Sequence, residues 1–306
     1  MRIGFIGLGR MGMNMVMRLL SKHQVVAYDL SHERVAEVSG RGAIPAYSLR
    51  ELAEKLSPPR AVWMMIPAGK PVEESVEGLK PLLSEGDVLI DGGNSFYKDS
   101  VRRAEELREK GIGYLDIGIS GGIEGAERGL SLTVGGDCEG FQRLEPVLRD
   151  LAAPDGLFYC GSSGAGHYVK MVHNGVEYAL LQAYGEGFEM LRSGPYQLDL
   201  ARVARTWNSG SVIRSWLLEK ASKVFEEDSG LEELVGEVGG GETGRWMVEE
   251  ALEREVPTPV IGAALLMRYR SRQSDSFAGR VVAALRREFG GHEVRRKRRE
   301  ETHTLS

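Results

Sequence analysis

The chain has 306 residues, of which 42% are hydrophobic and 27% charged, with a formal net charge of -5. Two domains that each bury a core are the natural expectation, while the negative charge argues against wholesale nucleic-acid binding and no apolar run reaches the about 18 residues of a membrane span. Cys138 and Cys160 are too few and too far apart for a disulfide framework or a metal cluster, so a reducing cytoplasm is the expected compartment.

Arg2 to Ile6 reads as a short apolar strand running into Gly7-Leu8-Gly9-Arg10-Met11-Gly12. In this GxGxxG spacing the first glycine permits the bend, the second admits a pyrophosphate and the third lets the next helix pack close, with its N-terminus facing the phosphates. Arg10 and the evenly spaced glycines make an export signal the poorer reading. A second strand, Gln24 to Tyr28, ends at Asp29, where a carboxylate can take the adenosine ribose hydroxyls. It would repel a 2′-phosphate, so NAD is expected over NADP, although Arg34 lies one helical turn on.

Ser48 to Glu51 forms a capping box for a helix. A buried strand from Ala61 to Ile66 stops at Pro67-Ala68-Gly69, and a helix from about Pro71 to Leu83 follows. Strand Val88 to Ile90 leads into Asp91-Gly92-Gly93-Asn94-Ser95, then come a helix from Lys98 to Lys110 and a strand from Tyr114 to Ile119. Strands alternating with helices predict a parallel, doubly wound α/β sheet of the Rossmann type, with ligands off the carboxyl ends of the strands. Pro67, Asn94 and Ser120 lie at those ends, and Ser120-Gly121-Gly122 is a polar turn whose N–H groups can hold a carboxylate. Leu130 to Val134, a helix from Phe141 to Leu151 and a strand from Leu157 to Tyr159 complete a first domain over residues 1–163.

From Gly166 onward every long segment has helical period, which predicts an all-α domain over 164–292 and a basic, disordered tail over 293–306. If Gly164, Ala165 and Gly166 open the first helix, Lys170, His173, Asn174, Glu177 and Tyr178 share one face. Val169, Val172, Val176, Ala179, Leu180 and Ala183 fall on another, which is expected to pack. A base, an amide, an acid and a phenol on one stripe read as a site, because exposed faces more often carry mixtures of Glu, Lys and Arg.

The spacing of Gly161, Gly164, Gly166, Lys170 and Asn174 resembles the substrate-site signature of the β-hydroxyacid dehydrogenases. Together with VKMVHNGVEY, DGGNS, ISGG, WNSGSVIRSWLL and FGGH, it resembles the short-chain, NAD-preferring, decarboxylating branch of the 6-phosphogluconate dehydrogenases, from residue 1 to about His292. The resemblance implies oxidative decarboxylation of 6-phosphogluconate to ribulose 5-phosphate, with Lys170 as the base and Glu177 as the acid that protonates the enediol. Asn174 and His173 would hold the hydroxyl and carboxylate ends of the substrate. Ser120, Gly121 and Gly122 would form the carboxylate turn, and Asn94 would link nicotinamide and substrate. Gly7, Leu8, Gly9, Met11, Gly12, Asp29, Pro67 and Ala68 would hold the cofactor.

A phosphorylated sugar acid also needs polar and cationic partners at its far end. The resemblance assigns Tyr178, Thr243, Arg268, Arg286 and His292, the last two from the partner subunit of a homodimer or higher homo-oligomer. The long-chain relatives carry a phosphate-contacting lysine just before their TG(K/R)W segment, where this chain reads Gly240-Gly241-Glu242-Thr243-Gly244-Arg245-Trp246. No aspartate cluster accompanies the stripe, so no metal is expected, and no nucleic-acid or membrane partner. The rival readings are a non-decarboxylating dehydrogenase of the 3-hydroxyisobutyrate type and a catalytically silent NAD-binding scaffold. Glu177 and the FGGH end speak against the first, and Lys170 with Asn174 against the second.

Overall fold

A computed structural model describes residues 1–291 and 293–295. His292 and most of the expected tail lie outside the described residues.

The chain begins with β1 (Arg2–Ile6), α1 (Arg10–Leu19), β2 (Gln24–Tyr28), α2 (His32–Ser39), β3 (Ile44–Ala46) and α3 (Leu49–Glu54). Then come β4 (Ala61–Met64), α4 (Lys70–Leu79), β5 (Val88–Asp91), α5 (Tyr97–Arg108) and β6 (Gly113–Ser120). The sheet is completed through α6 (Gly122–Arg128), β7 (Leu130–Gly136), α7 (Cys138–Leu151) and β8 (Ala152–Gly161). Its eight strands lie in the order β3-β2-β1-β4-β5-β6-β7-β8. This is the expected doubly wound α/β arrangement, with the strand order reversing direction at β1/β4.

Alternation along the strands builds both faces of the sheet. Ile3, Phe5, Trp63, Ile90, Leu115 and Ile117 fill one core, while Ile6, Val62, Met64, Leu89 and Tyr114 fill the other. Each such fully buried large side chain contributes roughly 1.5–3 kcal/mol, so the strand ends that border the site are anchored in a well-packed core.

One seam departs from the expected parallel sheet: β7 runs antiparallel to β6. The connection over 121–129 is shorter than the dozen or so residues that a parallel crossover requires. Helix α7 is long enough to cross over, and β8 is parallel to β7.

The remaining elements are helical, as expected: α8 (Ala165–Ser193), α9 (Leu200–Gly210), α10 (Trp216–Glu227), α11 (Glu242–Glu253), α12 (Pro259–Ser271) and α13 (Phe277–Gly290). The chain forms two compact units, one from residues 1–185 with 242–262 and the other from 186–241 with the segment that starts at Ala263. In the second, the Phe188 ring packs on Trp207 and Phe225 with centroids 5.7 and 4.8 Å away. Helix α13 buries none of its residues and leaves Phe277, Val282, Leu285 and Phe289 mostly exposed. Among the described residues, no helix is long and apolar enough to cross a membrane.

Candidate active site

At the switch point, the Gly7 N–H donates to the Tyr28 carbonyl at 3.0 Å as the chain turns from β1 into α1. Gly7 has φ +96°, and a Cβ there would stand 2.3 Å from the Met65 carbonyl oxygen; one on Gly12 would stand 2.0 Å from the Gly7 oxygen. Both positions therefore require glycine. Around Gly9 the space is open for 4 Å, and α1 starts there with no side-chain cap and no acidic residue in its first turn. The free N–H groups of that turn therefore face a cleft of about 370 Å³ bordered by Gly9, Arg10, Asn14, Arg34 and Ile123.

Leu8 and Met11 contribute backbone rather than side chain, because both pack on the core below the turn. Asp29 accepts from the Leu8 N–H at 2.6 Å and the Ser31 N–H at 2.8 Å, and Arg34 Nη1 stands 3.9 Å from it. Its remaining lone pairs suffice for two ribose hydroxyls. The residues present thus fit a dinucleotide: an open helix terminus for the pyrophosphate and a fixed carboxylate beside it.

The expected stripe lies on α8. Lys170 and Asn174 are buried, at 9% and 7% exposure, whereas His173, Glu177 and Tyr178 are partly accessible. His173 stands at the centre of the group. Its Nδ1 is 3.5 Å from Lys170 Nζ and 3.3 Å from Asn174 Oδ1, its Nε2 is 3.0 Å from Ser120 Oγ, and Glu177 is 3.8 Å away. Burial pushes the Lys170 amine below the ordinary lysine value, and the Glu177 charge partly opposes this. Burial and the Lys170 charge likewise lower His173, against the Asn174 contact and Glu177.

The expected packing face of α8 is a correction. Val169, Val176 and Leu180 are 38–47% exposed, whereas Gly166, His167, Lys170, Met171, Asn174 and Gly175 are buried. Gly175 lies against Met247 of α11 and Ile261 of α12, where a Cβ would stand 2.9 and 3.2 Å from their side chains. Close approach of helices favours the smallest residue over the most apolar stripe.

Two neighbouring elements bring further groups to this unit. Tyr178 OH meets Thr243 Oγ1 at 3.2 Å. Helix α11 carries Thr243 and is tied to α5 by Tyr97 OH donating to Glu250 at 2.7 Å and by Lys98 paired with Glu253 at 2.7 Å. Asn94 is exposed on the loop after β5, which is held from below by Asp91. That buried carboxylate accepts from Gly93 N–H (3.0 Å), Ser95 Oγ (2.7 Å), Tyr114 OH (3.0 Å) and Arg103 Nη1 (3.5 Å).

The sequence matches the NAD binding domain of 6-phosphogluconate dehydrogenase over residues 2–164 and the C-terminal domain of 6-phosphogluconate dehydrogenase over 166–284. The chain belongs to the 6-phosphogluconate dehydrogenase family. It is 52% identical to the NAD(+)-dependent, decarboxylating 6-phosphogluconate dehydrogenase of Haloferax volcanii, over 97% of this chain and 99% of that one. It is 40% identical to the enzyme of the same name from Bacillus subtilis, over 88% of this chain but 61% of that longer one. Its structure resembles Plasmodium falciparum 6-phosphogluconate dehydrogenase with a TM-score of 0.82 at 29% identity, covering 98% of this chain and 67% of that one.

Within this family member, Pro67 and Ala68 follow β4, and Ser120 closes β6. Gly121 and Gly122 open α6 with φ of +126° and +59°. Arg268 and Arg286 lie in the second compact unit, on α12 and α13, where Arg268 Nη1 donates to the Gly239 carbonyl at 3.2 Å. Arg272, on the same turn, donates to the carbonyls of Val238 and Gly240. Among the described residues, no group of three or more His, Cys, Asp or Glu side chains is placed to hold a metal ion. Sequence reasoning missed Asp91, Arg103 and Asp116. The available signal was a carboxylate inside, or at the end of, an otherwise apolar strand, where only a hydrogen-bonded charge can stay buried.

Proposed function

We propose that the chain oxidises 6-phospho-D-gluconate with NAD and releases CO₂, giving D-ribulose 5-phosphate and NADH. The observation that carries this reading is the buried amine of Lys170, lowered by its burial and grouped with His173 and Asn174 on one helix, in a chain of this family. NAD, when bound, supplies the hydride acceptor.

The chain's own residues do the rest. Neutral Lys170 takes the proton of the 3-hydroxyl as the adjacent C–H bond is broken. As an ammonium it then donates to the new ketone oxygen and draws electron density from the C–CO₂ bond, so that CO₂ leaves and an enediol forms. Glu177, two turns along the same face, protonates the enediol carbon. Asn174 and His173 orient the hydroxyl and carboxylate, Ser120 with Gly121 and Gly122 hold the carboxylate, and Asn94 spaces substrate from nicotinamide. Tyr178, Thr243 and Arg268, with Arg286 and His292 from the partner subunit, take the phosphate.

The exposed apolar residues of α13 support a second copy of the chain as its partner. A Rossmann-type domain over 1–163, a helical domain over 164–292 and a cytoplasmic setting remain part of this reading. The test is one tube containing protein, NAD, 6-phosphogluconate and a chelator, in which NADH and CO₂ are both measured. Matched yields are expected; NADH without CO₂ would instead favour a simple hydroxyacid dehydrogenase.

A further inference from the structure

Strand β6 faces α8 with every second residue. Leu115, Ile117 and Ile119 fill the core, and Asp116, Gly118 and Ser120 meet the helix at three successive points. Asp116 is fully buried, and its two oxygens accept the Gly164 N–H at 2.7 Å and the His167 N–H at 2.9 Å, both in the opening turn of α8. The same turn is tied to α5 by His167 Nδ1 and Ser100 Oγ at 2.7 Å, and to β7 by Thr133 Oγ1 donating to the Gly166 carbonyl at 3.1 Å. One turn further, a Cβ on Gly118 would stand 2.5 Å from Lys170 Cβ, 2.5 Å from Thr133 Oγ1 and 2.8 Å from the Gly166 oxygen. Beyond that lies the Ser120–His173 contact.

We infer that Asp116 and Gly118 are positioning residues for the reaction: Asp116 fixes the register of α8 along β6, and Gly118 sets how deeply Lys170 is buried. Neither touches substrate, and the inference rests on Lys170 being the base. An apolar side chain could close the same strand–helix contact with no charge to desolvate. A carboxylate instead fixes two N–H groups in direction as well as distance, and a helix N-terminus favours the negative charge. Burial pushes Asp116 above the usual carboxylate range, and the two N–H bonds and His167 counter it. The methyl group missing at Gly118 is what lets Lys170 Cβ approach the strand this closely.

The test compares wild type, Lys170→Met, Gly118→Ala and Asp116→Asn in four readouts: kcat, KM for NAD, thermal melting, and the pH profile of kcat/KM. Gly118→Ala alters no charge, while the ionisable groups facing Lys170 are His173 and Glu177, both from α8. In Gly118→Ala we expect KM for NAD within about twofold and kcat lower by about tenfold to a hundredfold, the cost of displacing a reacting group by about an ångström. The limb that reports Lys170 should move to higher pH, because an amine pushed toward water loses the burial that holds it low. Asp116→Asn keeps one acceptor, and its limb should move the same way by less. Wild-type kcat with an unmoved limb in both variants overturns the inference. So does a fall in kcat with an unmoved limb and weakened NAD binding, the sign of general damage. Should Gly118→Ala not fold, Asp116→Asn decides by the same readouts. An inactive wild type, or an active Lys170→Met, would instead remove the assignment of the base, and this inference with it.

Discussion

Replacing Lys170 with methionine separates chemistry from folding better than any other change in this chain. Methionine matches the unbranched stem and fits a position that is 9% exposed. The hydrogen-bond contact of Nζ is His173 Nδ1 at the long distance of 3.5 Å, so its loss costs at most about 1 kcal/mol. Because burial lowers the amine below its unfolded value, the folded state binds fewer protons between the folded value and the ordinary lysine value of 10.5. Stability therefore rises with pH through that window, and the full penalty of the buried charge is present below it. At neutral pH the methionine variant avoids this penalty and should melt at the wild-type temperature or above.

Catalysis should respond in the opposite way. Loss of a positioned base lowers turnover by about 10²–10⁴, or roughly 2.7–5.4 kcal/mol in the barrier. NADH formation and CO₂ release should fall together, while NAD affinity, measured by titration, stays near wild type because the Asp29 cradle is untouched. Turnover within tenfold of wild type, or a lower melting temperature that accounts for the loss, would refute the reasoning.

Asp29→Ala should weaken NAD binding by about tenfold or more while NADP suffers less, since it removes both the ribose acceptor and the anchor of the Leu8 N–H and leaves Arg34 unopposed; an unchanged NAD/NADP ratio would contradict this. Asp91→Ala strands the donors of Gly93, Ser95, Tyr114 and Arg103, so denaturation should show a loss of about 3–5 kcal/mol. Asp91→Asn, which keeps one acceptor oxygen, should lose less. In Glu177→Gln the charge that raises the Lys170 value is gone, so the acidic limb of the pH profile, which reports deprotonation of the base, should move to lower pH, and protonation of the enediol, followed by solvent deuterium in ribulose 5-phosphate, should become slow or non-stereospecific. Activity should survive a chelator; its loss and restoration by Mg²⁺ would point to Lewis-acid chemistry in place of Lys170.

The alternation of strands and helices, the GxGxxG turn with Asp29 after it, and the shared face of Lys170, His173, Asn174 and Glu177 were all legible in the sequence. The alternation and the shared face depend on residues only a few positions apart, where helical or strand period fixes which side chains are neighbours, while the turn and Asp29, joined across 21 residues by the Leu8 N–H, were legible through their motif spacing. The packing face of α8 was misread because apolarity ranks Val176 above Gly175, yet the close approach of Met247 and Ile261 selects the glycine.

What the sequence by itself determined is therefore the order of elements, the glycine turn after β1 with Asp29 beside it, and which side chains share a face of α8. Only the tertiary structure decided how that stripe is mounted. The antiparallel pairing of β7 with β6, the Tyr114 bond to Asp91 and the pairing of Asp116 with Gly164 and His167 join residues from 11 to 51 positions apart. No periodicity reports such pairs, since they are set by which backbone groups remain without partners once the sheet and α8 are pressed together. The same holds for Lys170: its place on the helix is local, but the burial that lowers its amine comes from tertiary packing, with Gly118 of β6 close against its Cβ.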